Sequence, residues 1–271
     1  MTASISVPAR GAGHLSADRF AGFGPLFRKD LREWAHSSRI WVILAVTTLF
    51  MTLTAANGAI NTWVIANIPD ATVSSAPISL DPTVNFLSAV TTQFFVVAAI
   101  FGSMGLLVAE RDRGTLAWVA SKPASRSAIW LSKWVSAGIV VTIVAGVIPM
   151  AATFALVAVL YGAAGIGTFA LAAVGVAASV AFMIAVVLAV STVIANQAAV
   201  AAIGFAVFFL PQLLAGLLPV DISAFLPTSI LAWAIGPVIG AELGFVTPIA
   251  WAVSVIALVG FASWQMDRME F

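Results

Sequence analysis

The sequence has no cysteine, only two histidines, and charge on just 8% of its 271 residues. Without cysteine there are no disulfides, no thiolate metal sites and no cysteine nucleophile. The histidines, His14 and His36, both precede the first apolar run, so a buried catalytic histidine or a multi-histidine metal centre is not expected, and no metal ligands are assigned. No Gly-x-x-x-x-Gly-Lys-Ser/Thr occurs, which removes the loop that cradles nucleotide phosphates. The shortage of charge excludes a soluble globule. An average soluble domain carries about 25% charged residues, and a chain that is 62% hydrophobic cannot supply the polar coat. The net charge of +1 offers no electrostatic footprint for nucleic acid. The N-terminal stretch is not expected to act as a secretory signal. Residues 1–24 are rich in Ala, Gly and Ser with Arg10 and Arg19 among them, and no apolar segment precedes Ile40. They read as a disordered cytoplasmic tail, and residues 25–271 as a single transmembrane domain.

What the chain does have is long apolar runs. A span needs about 20 mostly apolar residues to cross about 30 Å of hydrocarbon. Six stretches qualify: 40–60, 86–109, 132–160, 169–194, 198–218 and 247–264. Only Asn196 and Gln197 separate the fourth from the fifth, which predicts a tight turn. Residues 61–85, with Pro69, Asp70, Pro77, Asp81 and Pro82, read as an exposed loop. Residues 220–246 are too interrupted to span yet apolar enough to dip into the membrane, predicting a re-entrant helical hairpin around 221–244. Gly236, Gly240 and Gly244 sit there beside Pro237 and suit a bend. Pro149 and Pro211 are candidate kinks in spans 3 and 5.

The basic residues set the orientation. Arg10, Arg19, Arg28, Lys29, Arg32 and Arg39 precede span 1; Arg111, Arg113, Lys122, Arg126 and Lys133 lie between spans 2 and 3; Arg268 follows span 6. With an even number of spans all twelve fall on one side. The opposite side carries Asp70, Asp81, Asp221 and Glu242. The positive-inside rule then places both termini in the cytoplasm.

Two segments flank the spans on the basic side. Residues 25–39, PLFRKDLREWAHSSR, place Phe27, Leu31 and Trp34 on one helical face, with Arg32 among the charges opposite. This predicts an amphipathic helix lying in the interface, either an anchor or a docking surface. Residues 110–126, ERDRGTLAWVASKPASR, are densely charged. Gly114 suits a bend and Thr115 a cap for a short helix at 115–121 whose apolar side is Leu116 and Val119. Lys122-Pro123 ends that helix, and Ser125 suits the cap of the helix entering span 3. The segment reads either as a charged loop or as an exposed helix shaped for a groove on another protein.

These residues resemble the permease subunits of ABC-2-type ATP-binding-cassette transporters. The family's hallmark after its second span is a glutamate, Gly-Thr-Leu, a proline, Ser-Arg, and a lysine opening the third span. Here those are Glu110, Gly114, Thr115, Leu116, Pro123, Ser125, Arg126 and Lys133. Residues 28–33 (RKDLRE) resemble the helix before the family's first span, and Leu226-Pro227-Thr228-Ser229 the region before its last. Trp118 and Ala120-Ser121 depart from the glutamate and Leu-Leu that members often carry.

The resemblance implies an all-α membrane protein with six spans, an interfacial N-terminal helix, a coupling helix between spans 2 and 3, and a re-entrant hairpin between spans 5 and 6. It implies a bacterial inner-membrane permease working as an exporter, while the uncharged spans favour an amphipathic or lipid-like cargo such as a drug, lipid or glycolipid over bare ions. The partners would be a cytoplasmic ATPase subunit holding ATP and Mg, an identical or different second permease subunit, and membrane lipids. This chain would bind no cofactor and catalyse nothing itself. Glu110, Arg113, Gly114, Thr115, Leu116, Val119 and Arg126 become the coupling and docking residues, with the push carried by a rigid helix continuous with span 2. No ionisable residue sits in a span core, which argues against a stand-alone ion-coupled transporter. The polar residues within spans include Asn57, Gln93 and Gln212, candidates for lining a substrate pathway. The alternatives are a membrane scaffold without transport, or a secondary transporter.

Overall fold

The computed structural model describes residues 21–68, 79–115, 125–214 and 223–268. Among these residues every regular element is helical. Six helical runs are long and apolar enough to cross a membrane: Arg39–Asn67, Pro82–Asp112, Arg126–Leu160, Ile166–Val193, Gln197–Leu214 and Val246–Arg268.

Helix α1 (Phe23–Ala35) precedes span 1 and packs along the start of span 3. Trp34 is buried because Gly102 in span 2 leaves room for its ring; a Cβ there would lie 3.3 Å from it. The helix therefore bridges spans 2 and 3. Span 1 is the single helix α2 (Arg39–Asn67). It continues seven residues past the apolar stretch, into what reads as a loop, and polar side chains there bond back to the preceding turn. Thr62 donates to the Gly58 carbonyl and Asn67 to that of Trp63. At 1.5 Å per residue its length is about 44 Å, more than the hydrocarbon needs. Span 2 also begins within that predicted loop. Asp81 accepts from the amides of Thr83 and Val84 at 2.7 and 3.0 Å, and Pro82 takes the first helical position.

Span 2, with which the coupling helix is expected to be continuous, is itself broken into segments. It comprises α3 (Pro82–Thr91), α4 (Phe94–Ser103) and α5 (Val108–Asp112). Gln93 separates the first two with φ of 56°, the sole non-glycine at positive φ among the described residues. Residues 104–107 form turns between the second and third.

Span 3 consists of α6 (Arg126–Val141), a π-helical turn (Thr142–Val147) and α7 (Ile148–Leu160). Ser125 caps α6 as predicted, its Oγ accepting from the Ala128 amide at 3.1 Å. The π turn sits directly before Pro149, whose ring has no N–H and would clash with the carbonyl of Ala145 in a regular helix.

Span 4, α8 (Ile166–Val193), is the axis of the bundle. Of its most apolar stretch 67% is buried, against 17% for spans 1 and 6. Trp134 of span 3 and Trp251 of span 6 donate their indole N–H groups to its Ala181 and Ala178 carbonyls at 2.9 and 3.0 Å. The turn into span 5, α9 (Gln197–Leu214), is as tight as expected, with Asn196 Oδ1 accepting from the Ala198 and Ala199 amides. Pro211 lies inside α9.

Before span 6 come a 3-10 turn (Pro227–Ser229), α10 (Ile230–Ile235) and a second 3-10 turn (Gly236–Ile239). Helix α10 presses on span 4 at Gly175, where a Cβ would stand 2.9 Å from Ala234 Cβ. Gly240, at φ of 75°, reverses the chain, and Trp233 Nε1 donates to the Gly244 carbonyl at 2.6 Å. The glycine series makes a bend, as its proline suggests. Span 6 is α11 (Val246–Arg268). Outward-facing Leu49, Leu53, Val253 and Ile256 are more than half exposed, which suits a lipid solvent.

Candidate functional site

At the basic end of the bundle four ionised side chains meet across three elements. Asp30 lies on α1 between Phe27 and Trp34, on the apolar face, and is 5% exposed. Glu110 stands in α5 at the end of span 2. Lys133 is two turns into α6 and 4% exposed. Its Nζ lies 2.8 Å from Glu110 Oε1 and 3.7 Å from Asp30 Oδ1. Lys29 approaches the same two oxygens at 3.1 and 3.6 Å from the outer side. Ser132 donates to Asp30 Oδ2 at 2.7 Å. Two ammonium and two carboxylate groups therefore balance.

Removing charges from water is costly, and burial is repaid only when attraction and hydrogen bonds are nearly complete. Here both Asp30 oxygens are engaged, and Glu110 Oε1 receives two ammonium groups. Burial alone disfavours the charged form of Lys29, but the Glu110 and Asp30 carboxylates outweigh it and hold the lysine above its ordinary value of 10.5. Ligand oxygens of Asp30, Glu33 and Glu110 come within 4.8 Å of one another, close enough for one cation to bridge. The cation that joins Asp30 and Glu110 is the Lys133 ammonium.

Two arginines extend the network. Arg111 Nη2 donates to the Ser191 and Thr192 carbonyls, both at 3.2 Å. Arg126 Nη1 donates to the Met266 and Asp267 carbonyls at 3.2 and 2.9 Å. These are last-turn carbonyls of spans 4 and 6, which have no partner within their own helix and carry the negative end of the helix dipole. Basic residues that mark sidedness in the sequence thus also cap two spans.

The predicted coupling residues divide accordingly. Glu110 is in the charge cluster. Gly114, at φ of 69°, makes the predicted bend, and its N–H donates to the Arg111 carbonyl at 3.0 Å. Thr115 Oγ1 donates to the Glu110 carbonyl at 3.1 Å. Arg113 lines an adjoining cleft. Arg126 is committed to the end of span 6. Leu116 and Val119 lie outside the described residues. On α1, Trp34 is buried, while Phe27 and Leu31 are half-buried and Arg32 is exposed.

The pathway candidates do not form one cluster. Asn57 accepts from Asn61 one turn along its own helix at 3.3 Å. Gln212 donates to the Phe208 carbonyl, also in its own helix. Gln93 borders a small void shared with Ser179, Phe208 and Thr228. Sequence reasoning missed Asp30 and Ser132. The available signal was an acid at position 30, three residues from Phe27 and four from Trp34, on a face otherwise apolar.

The profile of ABC-2 family transporter proteins matches residues 25–263, which holds α1, all six spans and the charge cluster. The chain belongs to the ABC-2 transporter family. No curated protein matches it. As an ABC-2 protein it is a multi-pass membrane subunit of an ABC transporter, and membership implies association with an ABC ATPase subunit. The ABC-2 match takes in the Glu110, Gly114 and Lys133 positions that carried the resemblance.

Proposed function

We propose that this chain is the permease half of an ATP-driven exporter in a bacterial inner membrane. Its cargo would be amphipathic or lipid-like, such as a drug, lipid or glycolipid. Two permease subunits, identical or different, pair with two ATPase subunits that hold ATP and Mg. Residues 110–126 dock on the ATPase, both termini lie in the cytoplasm, and closure of the ATPase pair moves the spans.

The observation that carries this reading is the grip on Glu110. The docking segment begins where span 2 is ion-paired to span 3 through Lys133 and to α1 through Lys29. A displacement of that segment reaches three elements at once. The absence of ionisable residues from the span cores favours apolar or amphipathic cargo over bare ions.

The test is co-purification with the ATPase subunit together with ATP turnover in lipid. Leu116→Asp puts a charge on the docking face and should reduce ATPase recovery roughly tenfold or more. Glu110→Gln leaves that face intact, so the complex should assemble while cargo-stimulated turnover falls. If Leu116→Asp assembles and turns over like the unaltered chain, residues 110–126 are not the docking segment.

A further inference from the structure

Beside the charge cluster, between α1 and the inner end of span 2, lies a cleft of about 170 Å³. Its walls include Glu33, Arg39 and Arg113 on the polar side and Trp34, Leu106 and Ala109 on the apolar side. The cleft's deeper charges, Asp30, Glu110 and Lys133, neutralise one another within the cluster. Those of its mouth do not. Among the described residues Arg39 and Arg113 form no salt bridge, while Glu33 reaches Lys29 only through space and without a direct ion pair. Arg39 opens span 1 and Arg113 directly follows the last helix of span 2, so both stand at headgroup depth, where the hydrocarbon ends. Two guanidinium groups on one cleft present planar donor forks suited to a phosphate. The volume is below that of sites for drug-sized ligands, about 300–1,000 Å³, but suits a polar headgroup whose chains leave along the apolar wall.

We infer that this cleft binds the phosphodiester headgroup of a phospholipid from the leaflet at the basic end, with Arg39 and Arg113 on the phosphate. Glu33 supplies a negative partner for a headgroup amine, which favours an ethanolamine lipid over a glycerol one. The site lies apart from the cargo-pathway candidates and meets the proposed ATPase-docking segment at its first residues, through Arg113.

The experiment is native mass spectrometry of the full chain, released from a neutral detergent. The probes are palmitoyl-oleoyl phosphatidylethanolamine, the matching phosphatidylglycerol, the matching diacylglycerol, and glycerol 3-phosphate. Phospholipid adducts should form, and the Arg39→Gln/Arg113→Gln chain should bind them roughly tenfold more weakly. Glu33→Gln should abolish the preference for ethanolamine while sparing phosphatidylglycerol. Diacylglycerol binding should be the same in all chains, which also shows that the variants are folded. Unchanged phospholipid binding in the double-arginine chain overturns the site. Glycerol 3-phosphate binding as tightly as the lipids, with the same arginine dependence, overturns the lipid assignment in favour of a soluble phosphate.

Discussion

The two ends of the bundle are fastened by different chemistry. The basic end is held by long charged side chains that reach between elements: Lys133 to Glu110, Arg111 to span 4, Arg126 to span 6. The opposite end is held by neutral groups and close backbone approach. There Tyr161, at the end of span 3, places its hydroxyl into span 1. It accepts from the Ala59 amide at 2.8 Å and donates to the Ala55 carbonyl at 3.0 Å, the two ends of one helical rung. Asn85 donates to the carbonyls of Ser79 and Asp81, and Gly58 lets Ser79 and Tyr161 close on span 1. The difference teaches that a fastening built from buried charges is strong only while every member is present. One built from neutral bonds degrades in smaller steps.

Lys133→Met tests that contrast most severely, because it leaves Asp30 and Glu110 facing each other with only the half-exposed Lys29 between. We expect a loss of about 3–5 kcal/mol, measured as the unfolding midpoint in mixed micelles, and partial recovery when Asp30→Asn and Glu110→Gln are added. If Lys133→Met alone is as stable as the parent, the cluster does not hold the end together. At the opposite end Gly58→Ala places a Cβ 2.9 Å from the Ser79 carbonyl oxygen and 3.1 Å from the Tyr161 hydroxyl. It should cost about 1–3 kcal/mol by overpacking, with no dependence on salt. Tyr161→Phe removes two hydrogen bonds, but the Ala59 amide can return to the Ala55 carbonyl. The expected loss is about 0.5–1.5 kcal/mol, and hydrogen exchange at Ala59 should rise if the hydroxyl guards that rung.

Arg111→Gln and Arg126→Gln each weaken a cap at the basic end by about 0.3–1 kcal/mol, and high salt should narrow the gap from the parent. The smallest effect concerns Lys29. Its folded value is raised, so its contribution is complete below its unfolded value and disappears as pH climbs through the folded one. The stability difference between the parent and Lys29→Met should therefore persist through neutral pH and fade only above about pH 10–11. A difference that fades on acidification near neutrality contradicts the assigned pairing.

Six spans were legible because apolar length is a one-dimensional signal, and the basic end was legible because the lysines and arginines lie in three short stretches. Ser125 and Gly114 were legible as a cap and a bend because those roles depend on local backbone chemistry. Asp30 was not, since its partners are Ser132 and Lys133 from another helix, 102 and 103 positions away. The joint at Gln93 was also hidden. Nothing in Thr91-Thr92-Gln93 forces a left-handed backbone. Residues 1–20 of the expected tail and the proposed docking pair Leu116 and Val119 fall outside the described residues, while Phe23 and Gly24, read as the end of that tail, already belong to α1.

The joints in span 2 bear on how movement crosses the bilayer. A shaft with no joint carries rotation and thrust from one end to the other unchanged. Span 2 is instead a linkage of three links, with one pivot at Gln93 and another at residues 104–107. If residues 110–126 receive the proposed push, a stroke at Asp112 would swing α5, be partly absorbed at residues 104–107, and leave α3 standing where Asp81 caps it. Under the proposed coupling, the two ends of the same span would therefore be able to move by different amounts.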